Sequence, residues 1–177
     1  MIKILVSDPL SEEGLKILKD VKEFQVDVKT ELKPEALKET IKDYDALIVR
    51  SATKVTKDII DTATKLKVIG RAGVGLDNVD LEAATQKGII VMNTPAGNTI
   101  STAEHTMSML LSLSRNIPQA NVSTKKGEWK RSKFMGVEIY NKILGIVGLG
   151  RIGSELARRA LSFGMKVLAY DPFLSRE

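Results

Sequence analysis

The chain has 177 residues, 43% hydrophobic and 28% charged, and a formal net charge of +5, an ordinary globular balance with room for one domain or for one and part of a second. The lack of cysteine excludes disulfides and thiolate metal sites and fits a reducing cytoplasm. The apolar N-terminal run meets a charge at Asp8, too soon for a signal peptide or a membrane span, so no membrane partner is expected.

Short apolar strands alternate with amphipathic segments along the chain, the pattern of a parallel α/β sheet. Ile2–Ser7 is the first strand. Ser11 caps a helix running to Lys19, with Glu12 and Glu13 favourably placed in its first turn. Phe24–Val28 is a strand, and Pro34 opens a helix to Lys42. Ala46–Val49 is a strand, Thr56–Ala63 a helix and Lys67–Ile69 a strand. Asp80 caps a short helix, Leu81–Gln86, which Gly88 stops, and Ile89–Met92 is the next strand. The turn-rich run Asn93–Asn98 marks a boundary and divides the chain into domains 1–98 and 99–177. A long helix from Ser101 to Arg115 is apolar on more than one face, as expected of a helix buried all round or set in an interface.

Lys125, Lys126, Lys130, Arg131 and Lys133 form a basic run around Trp129 and Phe134. It can be read as a nucleic-acid patch. The run is short, however, contains Gly127 and Glu128, and leads into a strand expected to be buried, so a solvated loop and no nucleic-acid partner are the expectation. Ile143–Val147, a helix over Ile152–Phe163 and Lys166–Tyr170 then make one βαβ unit.

This last unit carries the most specific motif of the chain, Gly148-Leu149-Gly150-Arg151-Ile152-Gly153. It follows a strand, opens a helix and is followed, after a second strand, by Asp171, which is the full context of a dinucleotide fingerprint. Gly148 permits the tight turn, Gly150 lets the backbone approach a pyrophosphate, and Gly153 lets helix and strand pack closely. The pyrophosphate would sit on the N–H groups at the helix start, with Arg151 adding a contact. The Asp171 carboxylate would accept from ribose hydroxyls and repel a 2′-phosphate, which points to NAD rather than NADP, although Arg176 nearby blurs that preference.

Three strand ends in the first domain carry Arg50-Ser51, Arg71-Ala72-Gly73-Val74-Gly75 and Asn93-Thr94. Ligands of open α/β sheets sit outside the carboxyl ends of strands, and two arginines with a glycine loop suit a small dianion or a carboxylate. Solubility explains surface arginines equally well. His105, the chain's sole histidine, lies within the long helix and is expected to be structural. No spacing suits a metal.

The runs Val49–Thr56, Gly70–Asp80, Val91–Asn98, Asn116–Ala120 and Gly148–Pro172 resemble the D-2-hydroxyacid dehydrogenase family, and within it the branch acting on phosphoglycerate. The resemblance covers nearly the whole chain. It implies a flavodoxin-like parallel-sheet substrate-binding domain followed by the first part of a Rossmann NAD-binding domain. The implied activity is hydride transfer from C2 of 3-phosphoglycerate to NAD, giving 3-phosphohydroxypyruvate, the first step of serine biosynthesis. By matching position, Arg50, Ser51 and Arg71 would hold the anionic groups of the substrate, and backbone groups at Gly73, Val74 and Gly75 would meet its carboxylate. Gly148, Gly150, Arg151, Ile152, Gly153 and Asp171 would hold NAD, with Val74 near the nicotinamide end. The long helix would join a dimer interface, in a homodimer or homotetramer when full length. The arginine, acid and histidine that move the proton in such enzymes fall beyond residue 177 in the family's order, so a fragment without turnover is expected. Two other functions share these features. One is reduction of an unphosphorylated substrate such as glyoxylate or hydroxypyruvate, which has less need of Arg50. The other is an NAD-sensing corepressor-like binding protein, against which the Arg50–Thr56 run speaks.

Overall fold

A computed structural model describes residues 1–173; Arg176 lies outside them. The elements are β1 (Ile2–Val6), α1 (Glu12–Lys19), β2 (Phe24–Val28), α2 (Pro34–Ile41), β3 (Ala46–Val49), α3 (Lys57–Thr62), β4 (Val68–Arg71), α4 (Leu81–Gln86), β5 (Ile90–Met92), α5 (Thr99–Ser114), α6 (Ile117–Lys125), β6 (Ile143–Val147), α7 (Arg151–Ser162) and β7 (Lys166–Tyr170), with a 3-10 turn at Arg131–Phe134. They form two units that divide between Gly97 and Asn98. Among the described residues, no helix is long and apolar enough to cross a membrane.

The first unit is a five-stranded sheet in the order β2-β1-β3-β4-β5, every pairing parallel. This is the flavodoxin-like order, with its switch point between β1 and β3. Leu5, Leu47 and Ile69, central on three adjacent strands, are fully buried against Leu37 and Ile41 of α2 and Ile59 and Ile60 of α3. Each such side chain contributes about 1.5–3 kcal/mol on leaving water, so this stack holds the strand ends in place. The helix starts follow the expected capping: the Ser11 hydroxyl accepts from the Gly14 amide at 3.2 Å, the Asp80 carboxylate from the Ala83 amide at 2.9 Å, and Pro34 occupies the first turn of α2.

The second unit pairs β6 with β7 in parallel and packs α7 against both strands and against α5. Two expectations need correction here, and a third is narrowed. First, α6 stands where no helix was expected. Asn116 adopts a left-handed φ of 54° that ends α5, and Pro118 falls in the first turn, where its missing N–H costs nothing. The mixed sequence Pro-Gln-Ala-Asn-Val-Ser-Thr hides the helix because it carries no apolar period. Lys125 therefore closes a helix, and Arg131–Phe134 is a 3-10 turn; the basic run is not simply a loop. Second, β6 is not a buried strand: Ile146 is buried, whereas Ile143 and Val147 are exposed, Val147 at 88%. Alternate residues point to opposite faces, and α7 covers one of them. Third, of the two alternatives expected for the long helix, buried all round or set in an interface, α5 is not buried all round. Ala103 and Met107 are buried, but Met109 and Leu113 are exposed.

Candidate functional site

In the first unit the switch point places the carboxyl ends of β1 and β3 side by side. Asp8, just past β1, is 3% exposed. Its carboxylate accepts from the Arg50 amide at 2.6 Å, from the Thr53 hydroxyl at 2.7 Å and from the Thr53 amide at 3.1 Å. Burial pushes the Asp8 carboxyl upward, but the hydrogen bonds from Thr53, Arg50 and Ala52 outweigh it and hold the group below its ordinary value. From the other side Asn78 donates its side-chain amide to the carbonyls of Arg50 and Thr53, each at 2.7 Å. Arg50 and Ser51 are exposed on the loop so held, and one Arg50 guanidinium nitrogen (Nη1) donates to the Pro9 carbonyl at 3.3 Å.

The loop after β4 is arranged in a complementary way. Its carbonyls are tied down: Gly73 O accepts from the Thr94 amide at 2.9 Å, Val74 O from the Asn93 side chain at 2.6 Å, and Gly75 O from the Arg71 guanidinium. Arg71 Nε also donates to the Arg50 carbonyl at 3.3 Å. Successive carbonyls held this way leave the intervening N–H groups for another acceptor, and among the described residues the Val74 and Gly75 amides have no intramolecular partner. Arg71 thus fastens the loop and links it to Arg50. A cavity of about 370 Å³ opens beside this region, lined by Asp8, Pro9, Leu32, Pro34, Thr53 and Lys54 among others, and does not include Arg50 or Arg71.

In the second unit Gly148 turns the chain at φ +94°, in the left-handed region that side chains rarely adopt, and its amide donates to the Tyr170 carbonyl at 2.7 Å. A Cβ on Gly153 would run into the Gly148 carbonyl oxygen and lie 3.1 Å from its carbon, so α7 starts hard against the turn. Gly150, by contrast, caps α7 and would place a Cβ in open space. Asp171 closes the arrangement: one carboxylate oxygen accepts from the Leu149 amide at 2.7 Å and the other from the Phe173 amide at 2.9 Å. A carboxylate has about four acceptor positions, which leaves capacity for hydroxyl donors. Arg151 and Ile152 begin α7, where helix N–H groups favour an anion.

His105, expected to be structural, is exposed on α5. Sequence reasoning did not single out Asp8 or Asn78 as site elements. The available signal was an acid at the end of the first strand, at the point where a 2-1-3 strand order opens a crevice.

Comparisons with known proteins agree with this layout. The sequence profile of the D-isomer specific 2-hydroxyacid dehydrogenase catalytic domain matches residues 4–172. The D-3-phosphoglycerate dehydrogenase of Methanocaldococcus jannaschii is 58% identical over 177 residues, 100% of this chain and 33% of that protein. The human enzyme of that name is 57% identical over 175 residues, 99% of this chain and 33% of that protein. The chain therefore spans about a third of the length of these curated relatives. Among solved structures, the NAD+-bound 3-phosphoglycerate dehydrogenase of Entamoeba histolytica superposes with a TM-score of 0.80 at 35% identity, covering 99% of this chain and 56% of that one. The Aquifex aeolicus D-lactate dehydrogenase complexed with NAD and lactic acid gives 0.82 at 30% identity, covering 98% and 52%. With its two units laid out as described and its sequence matched over nearly all its length, the chain belongs to the D-isomer specific 2-hydroxyacid dehydrogenase family.

Proposed function

We propose that this chain carries the substrate-binding unit and the leading part of the NAD-binding unit of a D-3-phosphoglycerate dehydrogenase, an enzyme that oxidises C2 of 3-phosphoglycerate to the ketone of 3-phosphohydroxypyruvate in serine biosynthesis. The observation that carries the reading is the first unit's shelf: two amides at Val74 and Gly75 with no partner among the described residues, and Arg50 exposed on a loop held by Asp8 and Asn78. The amides suit a carboxylate, the guanidinium suits a phosphate, and 3-phosphoglycerate has one of each.

The second unit fits a dinucleotide. The Gly148 turn, the open space over Gly150 and the start of α7 at Arg151 and Ile152 would receive the pyrophosphate, while Asp171 would hold the ribose hydroxyls. When bound, NAD supplies the nicotinamide that accepts the hydride. Arg50 and the Val74 and Gly75 amides neutralise the two anionic ends of the substrate and fix its orientation between them, and Arg71 keeps their supports together. Copies of the chain pair through the face that exposes Met109 and Leu113 of α5, and the cysteine-free composition suits the cytoplasm.

The test is binding to the 177-residue chain. NADH quenches or enhances fluorescence on titration, and isothermal calorimetry gives a weaker affinity for NADPH. 3-Phosphoglycerate binds more tightly than D-glycerate by about tenfold or more, the worth of one charge-assisted contact. Equal affinity for D-glycerate and 3-phosphoglycerate refutes the substrate; equal affinity for NADH and NADPH refutes the cofactor. A sedimentation profile of monomer alone refutes the pairing.

A further inference from the structure

Arg50 sits on an exposed loop, yet the peptide groups around it are among the most firmly held in the first unit. Its N–H is taken by Asp8 at 2.6 Å. Its carbonyl is taken by Asn78 at 2.7 Å and by Arg71 Nε at 3.3 Å. With the groups on both sides fixed, the backbone dihedrals of Arg50 are fixed, and so is the direction in which its side chain leaves the chain. Three residues on, Thr53 repeats the arrangement: its N–H and hydroxyl go to Asp8 at 3.1 and 2.7 Å, and its carbonyl goes to Asn78 at 2.7 Å. One acceptor-only group and one donor pair therefore grip both ends of the same four-residue loop, one taking its N–H groups and the other its carbonyls.

We propose that Asp8 and Asn78 are positioning residues, a buried acceptor and donor that together aim Arg50 at the phosphate of the substrate. The proposal rests on the reading that Arg50 receives that phosphate. The residue types are what the geometry demands. A carboxylate has no proton to offer and suits only N–H and O–H groups; an amide nitrogen suits only carbonyls. Asparagine at position 8 leaves one accepting oxygen where two now serve Arg50 and Thr53, and loss of the Asn78 amide leaves two loop carbonyls without their donor. A second observation comes from Asn78 itself. The residue is 9% exposed, and among the described residues its buried side-chain oxygen has no partner. Its two amide hydrogens are the groups that the loop takes up, one at the Arg50 carbonyl and one at the Thr53 carbonyl. A merely space-filling role needs no amide, and a capping role would use the oxygen.

The proposal is tested on the 177-residue chain with 3-phosphoglycerate as the probe and NADH as the internal control. Asp8→Asn and Asn78→Ala each weaken 3-phosphoglycerate binding about tenfold and narrow its preference over D-glycerate, while NADH affinity, a property of the second unit, changes less than about twofold; tenfold corresponds to about 1.4 kcal/mol. Thr53→Val, which removes one hydroxyl from the grip, weakens binding by a smaller factor, and Thr53→Ser restores it; this pair decides the matter if either larger change fails to fold. Wild-type affinity and phosphate preference in Asp8→Asn and Asn78→Ala overturn the proposal, as does wild-type binding by Thr53→Val where those two do not fold. Arg50→Met separates it from the reading beneath it: if Arg50→Met loses the phosphate preference and the positioning variants keep it, the positioning role alone fails. If Arg50→Met also binds as wild type, the substrate reading fails and takes the positioning role with it.

Discussion

Replacing Gly153 by alanine puts one methyl group into the joint between β6 and α7. The added carbon would lie 3.1 Å from the Gly148 carbonyl carbon and 3.4 Å from the Ile146 Cγ2, with the Gly148 oxygen nearer still. Carbon atoms in contact sit about 3.5–4.0 Å apart, and the oxygen is closer than either carbon, so α7 must retreat or the turn must open. The obstacle is backbone on one side and a buried strand residue on the other, neither of which can swing aside like the end of a flexible side chain. Overpacking of this kind costs about 1–3 kcal/mol. At about 2–4 °C per kcal/mol for a chain of this size, the melting temperature falls by roughly 2–12 °C. Gly150→Ala is the control: its methyl group meets nothing within 4 Å, and its φ of −69° is open to alanine. It should leave the melting temperature unchanged and instead obstruct the pyrophosphate, weakening NADH by about tenfold or more, the equivalent of one lost charge-assisted bond. Differential scanning calorimetry and NADH titration of both variants give the answer. A Gly153→Ala protein that melts with wild type, or a Gly150→Ala protein that binds NADH as wild type does, refutes the assignment of packing to one glycine and ligand approach to the other.

Further outcomes follow from the same geometry. Asp171→Asn can still accept from the Leu149 amide but loses its charge, so the preference for NADH over NADPH narrows by about tenfold; an unchanged ratio in parallel titrations counts against the ribose assignment. Arg71→Lys keeps a positive charge but cannot span the Arg50 and Gly75 carbonyls as the planar guanidinium does. Binding of 3-phosphoglycerate then weakens about tenfold, and affinity retained by lysine would show that charge alone matters. Because Asp8 is held below its ordinary value of 3.8, its contribution to stability is complete above that value and is lost as pH falls through the lower folded one. Chemical denaturation between about pH 5 and pH 2 should show a steeper acid decline for wild type than for Asp8→Asn; parallel curves would contradict this. Every large, fully buried side chain among the described residues belongs to the first unit, so amides of β6 and β7 should exchange with deuterium before those of β1, β3 and β4; the reverse order would refute that ranking.

Most strands were legible because their signal is local. Val-, Ile- and Leu-rich runs of four or five residues between turn residues announce buried parallel strands wherever they occur, and Ser11, Pro34 and Asp80 announce helix starts through the same capping chemistry in any fold. The glycine motif was readable for a similar reason, since its function depends on consecutive backbone positions. α6 was not readable, because a polar helix held between a left-handed Asn116 and a glycine turn has no periodic face. Nor could the exposure of Val147 be read, since a strand's composition does not say how many of its faces are covered. The role of Asp8 escaped for a different reason: its partners are 42 and 45 positions away, and their proximity is a product of strand order, which no local pattern encodes.

That separation has a consequence for how the molecule comes into being. The parts of the proposed anion shelf are spread along the chain from Asp8 through Arg50 and Asn78 to Asn93, on the loops that follow β1, β3, β4 and β5. None of them can act until strands distant in sequence have docked, and closing loops of that length is a slow event in folding. On a ribosome, a nascent chain shorter than about residue 93 would lack the Asn93 tether on the Val74 carbonyl, whatever helices it had already formed. On the proposed function, capture of a small anion by this unit would be a late acquisition of folding, one that reports that the β1–β3 crossover and the central strands have found their register.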